Sequence, residues 1–172
     1  MDGLPTEPQV PHFDRFRLTA VPSKKPFKPR TQTLPPSGQN TRVMGTYTLA
    51  IRNHEPFERE VGAQGPVRFP AGTYAYTGSV PGERFARVRR HMESCEGGRE
   101  TTHWHVDYLL TAETTEFLAV FTTSADAECR VVSELELPAF GELGASDCTE
   151  CRSHVHHGDA ETVLQELASV YG

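Results

Sequence analysis

Eight of the chain's thirteen prolines lie within residues 1–36, and that clustering limits what the N-terminal quarter can fold into. Proline removes backbone donors and interrupts both helix and sheet ladders. The run Pro22-Ser-Lys-Lys-Pro26-Phe-Lys-Pro29 sits at the centre of this stretch. Residues 1–42 therefore read as a disordered or extended tail, and residues 43–172 as the folded part. The tail is also basic, with seven cations against three acidic residues. It suits an arm that touches phosphates, a linker, or sequence upstream of a start at Met44.

Charge divides along the same line. Residues 43–172 hold ten arginines, no lysine and twenty acidic residues, a net of −10. An acidic, lysine-free surface stays hydrated in concentrated salt, which points to a halophilic cytoplasm as readily as to an ordinary acidic protein. No stretch of 18 uninterrupted apolar residues predicts a membrane span. The N-terminus lacks a basic patch followed by an apolar run, so no secretory signal is expected. These features predict a soluble, cytoplasmic protein.

From Met44 onward the pattern is that of a small α/β (α+β) domain. Strands are expected at Gly45–Ile51, which is rich in β-formers, at Phe57–Val61, which alternates, and at Val67–Phe69 and Gly72–Gly78. A helix from Arg84 to about Ser94 follows, with apolar Phe85, Val88 and Met92 at helical spacing. Phe117–Phe121 reads as a buried strand. Ser124 or Asp126 can cap a helix that turns Cys129, Val132 and Leu135 inward and ends near Pro138. Asp159 is the expected cap of a last helix carrying Val163, Leu164, Leu167 and Val170. The order predicts a mixed or antiparallel sheet of about three core strands flanked by helices.

Two tyrosines sit in glycine-bearing strands, Gly45-Thr-Tyr47 and Tyr76-Thr-Gly78. The next helix carries Arg84, Arg87, Arg89, Arg90 and His91, and Arg84, Arg87 and His91 share one face. Arginine offers planar bidentate donors, which suit a phosphate. His103, Trp104, His105 and Asp107 add a polar row, with Trp104 and Tyr108 expected in the core. Cys148-Thr-Glu-Cys151 with His154 looks like half a zinc site. His103, His105, His156, His157, Cys95 or Cys129 could complete it.

Together these motifs resemble the GIY-YIG endonuclease superfamily. The resemblance is closest to small, little-characterised archaeal and bacterial domains of that superfamily, sometimes fused to endonuclease III. Four stretches carry it: Phe69–Ser79, Ala86–His91, His103–Leu109 and Ser146–His154. The resemblance implies hydrolysis of nucleic-acid phosphodiester bonds with Mg²⁺ or Mn²⁺, in a DNA-repair setting. It implies Tyr47, Tyr76, Arg87 and His91 as catalytic residues, and Arg84, Arg90, His103 and His105 as substrate contacts. The metal carboxylate falls on Glu128, with Glu134 as the alternate. Structured or branched DNA or RNA would be the substrate, and a repair protein a potential partner; oligomeric state is left open. Two other readings stay open. One is a nucleic-acid-binding or repair-accessory module that keeps the fold without cutting, and the other is a zinc-stabilised protein-interaction domain. The net charge of −10 argues against broad DNA affinity, while the helix arginines form a local positive patch.

Overall fold

A computed structural model describes residues 45–80, 86–97, 102–146 and 148–172. The tail at 1–42, Arg84 and Phe85 lie outside these described residues. Strands β1 (Thr46–Asn53), β4 (Gly72–Ser79), β5 (Thr115–Thr123) and β6 (Val155–Gly158) form an antiparallel sheet in the order β5-β1-β4-β6. β2 (Phe57–Glu60) and β3 (Pro66–Phe69) pair as a separate hairpin, pinned by a Phe57–Phe69 stack at 4.9 Å. Four helices accompany the strands: α1 (Ala86–Cys95), α2 (His105–Leu110), α3 (Glu128–Glu134) and α4 (Ala160–Tyr171). Among the described residues no helix is long and apolar enough to cross a membrane.

Alternation along β1 builds a core on each side of the sheet. Tyr47, Leu49 and Ile51 point to one face, where they meet Tyr74, Tyr76, Val88, Val106 and Leu109. The opposite face carries Ala50, Ala75 and Ala119 in register across three strands. Small side chains there let α4 pack close, with Val163 and Leu167 fully buried against them. Asp159 caps α4 as its sequence predicts, accepting from the Thr162 N–H at 2.9 Å.

Several elements differ from the sequence expectation. The sheet has four strands because Val155–Gly158 pairs with Thr73–Tyr76. β5 is longer than the apolar run and lies at the sheet edge, so only Ala119 of it is fully buried. α3 starts without a side-chain cap. Its entry is fixed by a tertiary contact instead: the Ala127 N–H donates to Thr46 Oγ1 at 2.9 Å. The helix buries Val131 and Val132, whereas Cys129 stays half-buried and faces other cysteines.

Candidate functional site

Tyr47 and Gly78 are directly paired across β1 and β4. A Cβ on Gly78 would lie 2.7 Å from the Tyr47 hydroxyl and 2.8 Å from its ring. Only glycine leaves room for the phenol to lie across that backbone. The Tyr-x-Gly motif is thus explained by packing: its glycine accommodates the tyrosine of the other motif. Tyr76, on the same face, meets Tyr47 edge-on with ring centroids 6.1 Å apart.

Helix α1 brings His91 to the pair. Its Nε2 lies 3.1 Å from the Tyr47 hydroxyl, and its Nδ1 lies 3.3 Å from Asp107 Oδ1. The second contact falls short of a well-formed hydrogen bond, and neither atom has another partner among the described residues. Asp107 on Nδ1 assigns the imidazole proton to that nitrogen and leaves Nε2 to accept from Tyr47. Asp107 Oδ2 accepts from the backbone N–H groups of His103 and Trp104 and from Arg90, at 2.8, 3.0 and 3.0 Å. Burial raises the Asp107 pKa, but the donors of His91, Trp104 and His103 outweigh it and hold the carboxyl below its ordinary value.

The arginines of α1 are not equivalent. Arg87 donates to the Ser79 carbonyl at 2.9 Å and lies over Trp104 at 4.9 Å, with its charge felt by Tyr47 and Tyr76. Arg90 pairs with Asp107 and stacks on Trp104 at 3.9 Å. His105 Nδ1 accepts from the Gly144 N–H at 3.2 Å, while His103 is exposed, edge-on to Trp104.

Burial governs how the phenols behave. Tyr47 and His91 are both 0% exposed. Burial, then the neighbouring Tyr76, push the Tyr47 phenol far above its ordinary range, with Arg87 opposing. Tyr76 is pushed up to about 12, chiefly by burial. Neither phenol ionises near neutral pH. Tyr47 can still pass a proton, because its hydroxyl already points to an acceptor nitrogen.

Of the two candidate glutamates, Glu128 lies within electrostatic reach of Tyr47, Tyr76 and Tyr171. Glu134 is half exposed and pairs with Arg130 at 3.8 Å along its own helix. On the opposite, α4 side of the sheet, the Tyr171 hydroxyl lies 2.7 Å from Thr48 Oγ1, which in turn lies 2.8 Å from Thr77 Oγ1. Sequence reasoning did not foresee this contact, since nothing local marks Tyr171 and Thr48 as partners.

Beside Glu128 is a second cluster. The ligand atoms of Cys129, Cys148, Cys151 and His154 all lie within 4.8 Å of one another, a set that could hold a metal ion such as zinc. The four cysteines of the described chain are free thiols. Cys129 Sγ lies 3.5 Å from Cys148 Sγ, and the Cys151 N–H donates to Cys148 Sγ at 3.3 Å. Burial raises the Cys148 pKa, but the N–H groups of Glu150 and Cys151, with His154, bring it down to about 7. Cys129 completes the set; His103, His105, His156, His157 and Cys95 do not take part.

The model of the family described as "Domain of unknown function DUF123" matches residues 46–172. No curated protein and no solved structure matches the chain.

Proposed function

The chain belongs to the DUF123 family, and from that premise we propose that it is a GIY-YIG-like domain that hydrolyses phosphodiester bonds in structured or branched DNA or RNA. The observation that carries this is the line Tyr47–His91–Asp107, with Arg87 beside it and Glu128 within electrostatic reach. A water gives a proton to the Tyr47 oxygen while the Tyr47 proton passes to His91 Nε2. The resulting hydroxide forms the new bond to phosphorus, and the bond to the leaving sugar oxygen breaks; that oxygen takes a proton from solvent. Asp107 stabilises the imidazolium so formed. No free phenolate is required, which suits the raised pKa of Tyr47. Arg87 faces the charge that builds on the phosphate.

Glu128 is the carboxylate suited to a hard cation, and Mg²⁺ or Mn²⁺ bound there would neutralise phosphate charge. Asp107 is unsuited, because its oxygens already meet four donors. Arg90 and His105 serve by holding Asp107 and Gly144, leaving exposed His103, and Arg84 outside the described residues, as the substrate-side groups. We assign one structural Zn²⁺ to Cys129, Cys148, Cys151 and His154.

A second reading is favoured by one observation, the complete burial of Tyr47 and His91. A polar core closed to substrate would serve a nucleic-acid-binding or repair-accessory module that does not cut. Assay of the full chain on branched and single-stranded DNA and RNA, with Mg²⁺ or Mn²⁺ in high salt, separates the two. Metal-dependent cleavage is expected, and Arg87→Ala should lower it about 30- to 1,000-fold, the equivalent of roughly 2–4 kcal/mol. Binding without cleavage across the panel would establish the second reading instead.

A further inference from the structure

The cysteine cluster and the tyrosine face meet at one ion pair. Glu128 and Cys129 are the first two residues of α3, so consecutive side chains serve different clusters. His154 is placed by the sheet: its carbonyl accepts from the Thr77 N–H, and its N–H donates to Leu143, each at 2.9 Å. Its Nδ1 lies 2.8 Å from Glu128 Oε1. Neither ring nitrogen makes a well-formed hydrogen bond among the described residues; with Nδ1 held beside Glu128 by that short contact, buried Nε2 is the nitrogen left for the cluster.

An imidazole that binds metal through one nitrogen keeps its single proton on the other. Nε2 on the ion therefore places a proton on Nδ1, facing Glu128. Partners of this kind orient a ligand histidine and raise its basicity. The exchange works in both directions. A metal-bound His154 cannot rotate, so it holds Glu128 in place, and Glu128 is the carboxylate within reach of Tyr47, Tyr76 and Tyr171.

We propose that Glu128 is a shared positioning residue: it orients the zinc ligand His154, and through that contact zinc at the cluster fixes the carboxylate that faces the tyrosines. This rests on the zinc reading of the cluster and not on nuclease activity. It makes the zinc site a support for the tyrosine cluster rather than an independent staple.

Zinc affinity of the full chain, measured by competition with a chromophoric chelator, tests it. Glu128→Ala should bind zinc 10- to 100-fold more weakly than wild type. Glu128→Gln keeps an acceptor oxygen and should recover part of that loss, and it decides the question if the alanine variant does not fold. Glu134→Ala, which removes a nearby exposed carboxylate, should match wild type. In zinc-loaded protein, nitrogen NMR of His154 should show the proton on Nδ1. Wild type without one zinc per chain would overturn both the zinc reading and this inference. Stoichiometric zinc with unaltered affinity in the foldable Glu128 variants, or a proton on Nε2, would overturn this inference alone.

Discussion

The two clusters around Glu128 are built on opposite principles. In the first, Tyr47, His91, Asp107 and Arg90 contact one another within the protein, with His91 Nδ1, Asp107 Oδ1 and Arg90 Nε lacking a well-formed hydrogen bond among the described residues. In the second, three thiols and an imidazole crowd within 4.8 Å of one another, with Glu128 2.8 Å from the imidazole beside them. A polar network whose members contact one another is held in place by those contacts. A set of soft donors gathered without counter-charge is completed by a cation. The first cluster is tied together by its own contacts, and the second gathers donors that could hold an ion.

The largest effect that sharpens this contrast is expected at Asp107. Replacing it by alanine strands the Arg90 charge and leaves two backbone N–H groups and His91 without their acceptor. Breaking a buried pair of this kind costs about 3–5 kcal/mol, measurable by denaturant unfolding of the full chain. A loss below about 1 kcal/mol, the range of surface substitutions, would show that the network does not hold the fold. Acid titration gives an independent check. Asp107 is depressed below its ordinary 3.8 in the folded state. Its contribution is therefore complete above about pH 4 and lost as pH falls through the lower folded value. Wild type should lose stability below about pH 4 more steeply than Asp107→Asn.

The next effect belongs to the second cluster. Purified protein should carry one zinc per chain by elemental analysis, and extraction with a chelator should remove stabilisation of about 4 kcal/mol if zinc is held near a thousandfold above its Kd. For a domain of this size that lowers Tm on the order of 10 °C. Cys151→Ser should reproduce the shift without chelator. An unchanged Tm after complete extraction would break the comparison, because the cluster would then be self-sufficient too.

How much of this was legible depended on whether the signal was local. β1, β4, α1 and α4 announce themselves through alternation, helical spacing and the Asp159 cap. β6 does not: His154-Val-His-His157 looks polar, and only pairing with β4 makes it a strand. α2 spans six residues, too few for periodicity to declare itself. The Tyr47–Tyr76–Arg87–His91 grouping was implied by the resemblance of their motifs to a known superfamily, whereas the anchoring role of Asp107 needed the turn that folds His103 and Trp104 around it. Glu128 and Glu134 could not be separated by sequence, since both lie on one helix. At 100° per residue they point to different faces, and tertiary packing decides which face meets the tyrosines. Cys129 was one of several completions for the cysteine pair, because 19 residues separate it from Cys148.

The smallest stability change is expected at Tyr47, where the two principles can be told apart most cleanly. Tyr47→Phe keeps the ring beside Gly78 and Tyr76 and deletes only the hydroxyl that faces His91. The buried Nε2 loses its donor, which costs about 1–2 kcal/mol. Zinc content should not change, since no cysteine or His154 contact involves that hydroxyl. Cleavage should fall about 10²- to 10⁴-fold, because the water loses the oxygen that accepts its proton. A variant that cuts at the wild-type rate would remove Tyr47 from the proton path. A variant that instead loses more than about 3 kcal/mol would make the hydroxyl a structural tie. The tyrosine cluster would then be a core that the chain folds around, and cleavage would have to be sought elsewhere on the arginine-bearing face of α1.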